Sequence, residues 1–171
     1  MLLNDSGAFD AVAKVELIDG EVVRMNAQYQ RHAYLKSEIA FLVRNALTDL
    51  DGTWTTLVEV AVALPPSDMP EPDVVILRGA PGRGPVPVDR VALLIEVSDT
   101  TADTDLGEKA ALYARFGVAE YWVLDDRAGR IVRFAQPSDA GLFREIVEVS
   151  IGEPLAAATI SGLSINTASL D

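Results

Sequence analysis

Two apolar segments separated by a turn constrain the fold of this chain more than any other feature. Residues 73–77 and 91–97 are short runs of mainly apolar side chains, which predict buried strands. The stretch 78–85 contains three glycines and two prolines and predicts a turn. The two segments are therefore expected to pair as an antiparallel hairpin whose register is symmetric about Gly84 and Pro85.

This register brings two acidic side chains together. The pairs that it predicts are Asp73 with Glu96, Val75 with Leu94 and Leu77 with Ala92. Because alternate side chains of a strand point to the same face, both carboxylates end one otherwise apolar surface. Two carboxylates that lie so close repel each other and raise each other's pKa unless a cation lies between them. The pattern therefore indicates a metal site.

A lysine on the next segment is predicted to point at the same surface. Residues 105–117 have a helical pattern that ends at a glycine, where a helix terminus is expected. Lys109 lies between Phe116 and Leu106 on the apolar stripe of this helix, so its stem should face the sheet. The alternative is a plain salt bridge from Lys109 to Glu96 that holds the helix against the sheet.

Composition limits the class of protein. A chain of 171 residues with 49% hydrophobic residues suffices for one well-formed core, so a single domain over residues 1–171 is expected. The chain has no cysteine and one histidine, His32, which excludes disulfides, thiolate zinc sites and multi-histidine metal sites. With no basic leader and no apolar stretch of membrane-spanning length, a cytoplasmic protein without membrane contact is expected. The net charge of −12 opposes general affinity for nucleic acid, which depends on neutralised phosphates.

The remaining pattern is that of an α/β protein. Residues 14–25 predict a hairpin with an Asp-Gly turn, and residues 30–50 predict a long helix. Strands are expected at residues 55–64, 120–125, 130–136 and 142–149. A strand, a helix and a second strand in this order predict a parallel crossover in the sheet. The core would occupy residues 30–150, followed by an extension over residues 151–171 that packs as loops and short turns.

In this order the elements resemble those of PD-(D/E)XK nucleases, and more narrowly those of the bacterial restriction endonuclease family called Uma-two. The resemblance covers nearly the whole chain, from about residue 15 to residue 170. The matching stretches are residues 16–21, His32 at the start of the long helix, and residues 72–73, 95–98, 105–109, 113–125, 154–155 and 160–163. The joint order and spacing of these stretches carry the resemblance.

The resemblance implies a restriction-endonuclease-like mixed β-sheet with flanking helices, and a metal-dependent endonuclease that hydrolyses phosphodiester bonds in DNA. It implies that Asp73 and Glu96 bind Mg²⁺ or Mn²⁺, with the backbone carbonyl of Val97 as a third ligand. Lys109 would replace the usual lysine two positions after the acid, a position that Ser98 occupies here. Oxygen ligands suit these ions, and Mg²⁺ is often held by one or two carboxylates and several waters.

Some further residues have two interpretations. Candidate neighbours of the site are His32, Glu38, Ser98 and Asp105. Glu38 is either an additional acid of the site or a surface residue at the edge of the helix stripe. The basic loop with Arg78, Arg83 and Arg90 is interpreted as a solvated turn or a homodimer contact. The alternative function is a catalytically silent nuclease-fold protein that acts as a binding or assembly module, which the charge of −12 favours.

Overall fold

The computed structural model describes residues 15–18, 20–24 and 29–171. The strands are β1 (Val15–Ile18), β2 (Glu21–Arg24), β3 (Trp54–Val58), β4 (Val62–Ala63), β5 (Val74–Arg78), β6 (Val86–Pro87), β7 (Val91–Ser98), β8 (Glu120–Asp125), β9 (Arg130–Pro137), β10 (Phe143–Ser150), β11 (Pro154–Ala156) and β12 (Ser164–Asn166). The helices are α1 (Gln30–Thr48), α2 (Ala102–Thr104) and α3 (Ala110–Arg115). A π-helical turn, Asp105–Lys109, joins α2 to α3.

A six-stranded mixed sheet forms the centre of the fold. Its strand order is β10-β9-β8-β7-β5-β3. The β7 and β8 pair is parallel, and the other four pairs are antiparallel. Parallel neighbours need a crossover connection, and the helical residues 102–115 provide it. The predicted α/β class with a mixed sheet is therefore confirmed.

Each face of the sheet buries its own apolar cluster. On one face, α1 packs through Leu35, Ile39 and Val43 against alternate side chains of the central strands. On the other face, α3 packs through Leu112 and Tyr113 against the remaining side chains. Because both faces are covered, strands β7 and β8 are buried along their whole length. A charged side chain on these two strands therefore needs a partner inside the protein.

The predicted hairpin register is confirmed in its centre and wrong near its turn. Pairing joins Val74 to Ile95, Val75 to Leu94 and Ile76 to Leu93, as predicted. A register shift follows, so that Leu77 pairs with Val91 and not with Ala92. A bulge adds one residue on one strand, which alternation of side chains alone does not reveal. The shift lies beyond the confirmed pairs, on the side away from the acids, so it leaves the predicted meeting of Asp73 and Glu96 intact.

Two other segments differ from the predictions. The expected continuous strand at residues 55–64 is wrong, because Glu59 adopts φ 52° and separates β3 from β4. A left-handed residue cannot continue an extended ladder. The expected loops of residues 151–171 include an antiparallel pair, β11 with β12, whose Leu155 and Ile165 are buried in the cluster under α1.

The N-terminal hairpin is confirmed where the structure describes it. Strands β1 and β2 pair antiparallel, with Ile18 opposite Glu21. The predicted bounds at Lys14 and Met25, and Asp19 of the predicted turn, lie outside the described residues. A single domain over residues 1–171 stays a prediction.

Candidate active site

The two predicted acids meet where β5 begins and β7 approaches its end. Asp73 is the residue before β5, and its backbone N–H donates to Glu96 Oε2 at 3.3 Å. In return, the N–H of Val97 donates to Asp73 Oδ2 at 2.9 Å. The side chains of Asp73 and Glu96 are only 8% and 5% exposed. The hairpin register thus places two buried carboxylates against each other.

Lys109, in the π turn before α3, contacts the acid pair through Glu96. Its Nζ lies 3.0 Å from Glu96 Oε1 and 3.3 Å from Asp105 Oδ1. Glu16, on β1, contributes a third carboxylate oxygen at 3.7 Å. Lys109 is the last residue of the π turn, where the sequence predicted an ordinary α-helix. Single π turns in helices are frequent at functional sites.

Asp73 has its own side-chain partners, and these come from α1. The Nε2 of His32 lies 3.3 Å from Asp73 Oδ1, and the Nζ of Lys36 lies 3.6 Å from the same atom. Lys36 also forms an ion pair with Glu59, whose N–H donates to the Asp73 carbonyl oxygen at 3.1 Å. The acid pair is therefore held between Lys36 on one side and Lys109 on the other.

Sequence reasoning missed Lys36, Glu59 and Glu16. The signal for Lys36 was present, because it follows Leu35 beside the apolar stripe of α1, as Lys109 lies within the stripe of the later helix. Two of the three lysines in the chain thus enter the same cluster. Glu59 could not be found in this way, since its place depends on the unpredicted break between β3 and β4.

Polar side chains around the cluster hold its members in place. Ser98 Oγ and Thr101 Oγ1 both donate to Asp105 Oδ2, at 2.6 and 2.7 Å. The Tyr113 hydroxyl donates to Glu96 Oε1 at 3.1 Å. The predicted neighbours His32, Ser98 and Asp105 therefore all lie in or beside the cluster.

Glu38 lies away from the cluster, which corrects its prediction as a neighbour of the site. Its Oε1 accepts a hydrogen bond from Ser169 Oγ at 2.7 Å, near the C-terminal end of the chain. Glu38 comes two positions after Lys36, and at about 100° per residue the two side chains point to nearly opposite sides of α1. The surface interpretation of Glu38 is the one that the structure supports.

Negative charge exceeds positive charge in this cluster. Five carboxylates (Glu16, Glu59, Asp73, Glu96 and Asp105) share two lysines and one histidine. Burial raises the pKa of Glu96 to about 8, and repulsion from Asp73 and Asp105 adds to the rise against the attraction of Lys109. Burial would lower the pKa of Lys109, but Glu96, Asp105 and Glu16 raise it above its ordinary value.

Asp73 responds in the opposite direction to Glu96. Burial alone would raise the pKa of Asp73, but the hydrogen bonds from His32 and Val97 and the charges of His32 and Lys36 outweigh it. The net result is a pKa of Asp73 below its ordinary value. The two carboxyl groups therefore differ in proton affinity, because burial outweighs the attraction of Lys109 at Glu96, whereas the interactions with His32, Val97 and Lys36 outweigh burial at Asp73.

The donor set fits a hard divalent cation. Asp73 and Glu96 bring two buried carboxylate groups to neighbouring positions of the paired strands, and hard divalent cations prefer oxygen ligands. In the described ranges 15–18, 20–24 and 29–171, no group of three or more His, Asp or Glu residues forms a ready-made metal cage. Two carboxylates completed by water are compatible with Mg²⁺, which usually keeps several of its waters.

Comparison with known proteins identifies the family. The sequence matches the model of the Uma2 family, described as putative restriction endonucleases, over residues 8–168. The chain belongs to the Uma2 family. The resemblance inferred from the motifs is thereby confirmed, and a nuclease-like protein is its coarse functional class.

A solved structure agrees with the fold of this Uma2 chain. It is the crystal structure of a putative nuclease of the DUF820 group from Anabaena variabilis, with a TM-score of 0.72 and 12% identity. The match covers 96% of this chain and 95% of the other. At this identity the similarity shows the fold alone, and it confirms the predicted restriction-endonuclease-like architecture. No individually curated protein matches the sequence significantly.

One further comparison concerns membranes. In the part of this Uma2 chain that the structure describes, none of the helices has both the length and the apolar character needed to cross a bilayer.

Proposed function

We propose that this Uma2 protein is a metal-dependent nuclease that hydrolyses phosphodiester bonds in DNA at the cluster of Asp73, Glu96 and Lys109. The observation that carries the proposal is the buried carboxylate pair, with Lys109 Nζ 3.0 Å from Glu96. Family membership supports a nuclease of this class. Selectivity for DNA, a cytoplasmic location and homodimer formation stay predictions.

Asp73 and Glu96 would hold Mg²⁺ or Mn²⁺, with the backbone carbonyl of Val97 as the proposed third ligand. Such an ion polarises a phosphodiester and lowers the pKa of a bound water. The chain's own residues prepare this position. His32 and Lys36 favour the ionised form of Asp73, since they supply positive charge and a hydrogen bond to it.

Lys109 would stabilise negative charge that develops on the phosphate, or orient the attacking water. Its raised pKa keeps it protonated, and its position is fixed by Asp105 at 3.3 Å. Asp105 is in turn fixed by the hydroxyl groups of Ser98 and Thr101. Short polar contacts thus connect Thr101 to Asp105 and Asp105 to Lys109, and they limit the motion of the ammonium group.

A second candidate function is a binding or assembly module without catalysis. One structural observation favours it. Lys109 is already paired with three carboxylates and Lys36 with two, so the cluster is connected as a network of ion pairs without a metal. The charge of −12 points in the same direction. Metal binding separates the two functions.

A metal titration tests the proposal directly. A ligand that binds only the native state stabilises it by about 2.7 kcal/mol when its concentration is a hundred times its Kd. We expect the melting temperature of the wild type to rise as Mn²⁺ is added, and Asp73→Asn to lose most of this rise. Glu38 lies on α1 but outside the cluster, so Glu38→Gln should show the same rise of melting temperature with Mn²⁺ as the wild type. A wild type that ignores Mn²⁺ at millimolar concentration would favour the binding module.

A lysine variant separates chemistry from metal binding. Lys109→Met is expected to lower Mn²⁺-dependent cleavage by roughly 10²–10³, the usual effect of removing one group that stabilises transition-state charge. The rise of melting temperature with Mn²⁺ should persist, because Asp73 and Glu96 remain. The assay compares cleavage of plasmid DNA with differential scanning fluorimetry on the same samples. Cleavage at the wild-type rate by a folded Lys109→Met protein would remove Lys109 from the proposed mechanism.

A further inference from the structure

Strand β10 forms one edge of the six-stranded sheet and pairs with β9 alone among the described strands. Its side chains alternate between half-buried and exposed along all eight residues. Ile146, in the middle, is 61% exposed, and Leu142, just before the strand, is 63% exposed. An edge strand carries a row of backbone N–H and C=O groups that are free to pair with another strand. A long edge with exposed apolar side chains therefore requires an explanation.

The charges on this edge are arranged symmetrically. The exposed residues Arg144 and Glu148 lie two positions before and two positions after Ile146. When two identical strands pair antiparallel about a two-fold axis, the residue on the axis faces its own copy, and its neighbours at equal distances face each other. With the axis at Ile146, Arg144 of each copy lies opposite Glu148 of the other, on the same face of the sheet.

Other positions of the axis lose this complementarity. An axis at Arg144 sets two arginines opposite each other, and an axis at Glu148 sets two glutamates opposite each other. An axis at Glu145 opposes two glutamates on the other face, and an axis at Val147 forms no pair of opposite charges. Directly opposed like charges destabilise a strand pair, whereas opposite charges stabilise it. Among the five central positions, Ile146 alone gives two attractive pairs.

We infer that two copies of this chain associate through β10, paired antiparallel about Ile146, so that their sheets become one continuous sheet. This goes beyond the proposed nuclease function. The backbone groups of the edge supply the hydrogen bonds, Ile146 packs on its own copy, and Arg144 with Glu148 fixes the register. A single strand makes a small interface, and each chain carries a charge of −12, so the dimer should be reversible and depend on concentration.

Charge exchange between the two positions tests the register. The wild type, followed by analytical ultracentrifugation near physiological salt, should rise in mass from 18.3 kDa toward the dimer with concentration. Arg144→Glu opposes two pairs of glutamates, and Glu148→Arg opposes two pairs of arginines. Each is expected to raise the dissociation constant at least about tenfold. The double variant carrying both changes should regain the affinity of the wild type.

A mixture of the two single variants gives the sharpest result. A heterodimer of Arg144→Glu with Glu148→Arg has glutamates on one strand facing arginines on the other, so both pairs are attractive. Native mass spectrometry should detect heterodimers in clear excess over both homodimers. The mixture also controls for the ion pair of Arg130 with Glu148 within the chain, at 2.8 Å, which Glu148→Arg breaks. This pair is broken in the Glu148→Arg homodimer and in the heterodimer alike, so its loss cannot explain a preference for the heterodimer.

Matched variants control for total charge. Arg83→Glu and Glu21→Arg change the net charge by the same amounts at exposed positions away from β10, and should dimerise as the wild type does. Monomers at all concentrations would overturn the inference. So would a dimer that ignores both charge changes, or a mixture without preference for the heterodimer, because each result places association elsewhere than on this register.

Discussion

Glu96→Gln is expected to lower metal-dependent cleavage of DNA by at least about a hundredfold, because an amide cannot replace a carboxylate as an anionic ligand of Mg²⁺ or Mn²⁺. The substitution keeps the shape of the side chain, and the amide oxygen can still accept the hydrogen bonds from Lys109 and Tyr113, so that only the 3.3 Å hydrogen bond from the N–H of Asp73 is lost. The fold should therefore persist while the metal position is lost. Cleavage of plasmid DNA with Mg²⁺ or Mn²⁺, and with chelator as a blank, measures the effect.

The control for this experiment is Glu38→Gln. It makes the same chemical change at an acid whose partner is Ser169, outside the cluster, and should retain full cleavage. Circular dichroism and the melting temperature establish that both proteins are folded. If purified Glu96→Gln cleaves as fast as the wild type, the assignment of Glu96 as a metal ligand is wrong.

Without metal, Glu96→Gln and Asp73→Asn are expected to change the free energy of unfolding in opposite directions. The pKa of Glu96 is raised from 4.5 to about 8, so between these values the folded protein holds a proton that the unfolded chain releases. The stability of the wild type then falls with rising pH by about 1.4 kcal/mol per pH unit. Glutamine does not ionise, so the stability of Glu96→Gln relative to the wild type should increase from about pH 5 to pH 8. Above pH 8 the difference should stay constant.

The ionisation of Asp73 affects stability in the opposite direction to that of Glu96. Its pKa is lowered in the folded state, so the ionised form contributes stability that is present above its unfolded pKa of about 3.8 and lost as the pH falls below it. Asp73→Asn removes the charge that His32 and Lys36 face. Breaking a buried ion pair from one side costs about 3–5 kcal/mol, and since Lys36 keeps Glu59 we expect the lower end of this range at pH 7.

Urea unfolding in chelator at pH 5, 6, 7, 8 and 9 measures both effects. Glu38→Gln is the control, because it removes a carboxylate whose partner, Ser169, lies outside the cluster. A Glu96→Gln protein that is much less stable than the wild type at pH 8 would mean that Glu96 and Lys109 form a stabilising salt bridge. That outcome would favour the structural interpretation of the pair over the metal site.

Much of the site could be predicted because its acids interrupt strong local patterns. The strands of Asp73 and Glu96 are apolar on both sides, and the glycines and prolines between them define one turn, so a single register followed. Lys109 was found because charges are rare on a buried helix stripe. These signals are local in sequence, and pairing rules convert them into contacts between distant residues.

The rest depends on contacts that no local pattern contains. Glu120 illustrates the difficulty, since it is a fully buried acid on β8 and looks as unusual in the sequence as Glu96. In the structure it accepts hydrogen bonds from Trp122 Nε1 and from the backbone N–H groups of Ala158 and Thr159. The two backbone donors come from the C-terminal segment, whose hairpin was not predicted. Whether a buried acid is structural or functional is decided by partners far away in the chain.

The π turn before α3 has a consequence for how such a site can be gained or lost in evolution. A π turn contains one residue more than an α-helical path needs. Loss of a single residue there, such as Gly107, beside which the structure leaves open space, would let the helix relax to α geometry. Residues on either side would then rotate relative to each other by about 100°, and Lys109 would leave the Glu96 carboxylate. The lysine is held in place by the length of the chain as well as by charge. Deletion of one residue would therefore take the lysine out of the proposed site while every charged residue of the cluster remained in the sequence.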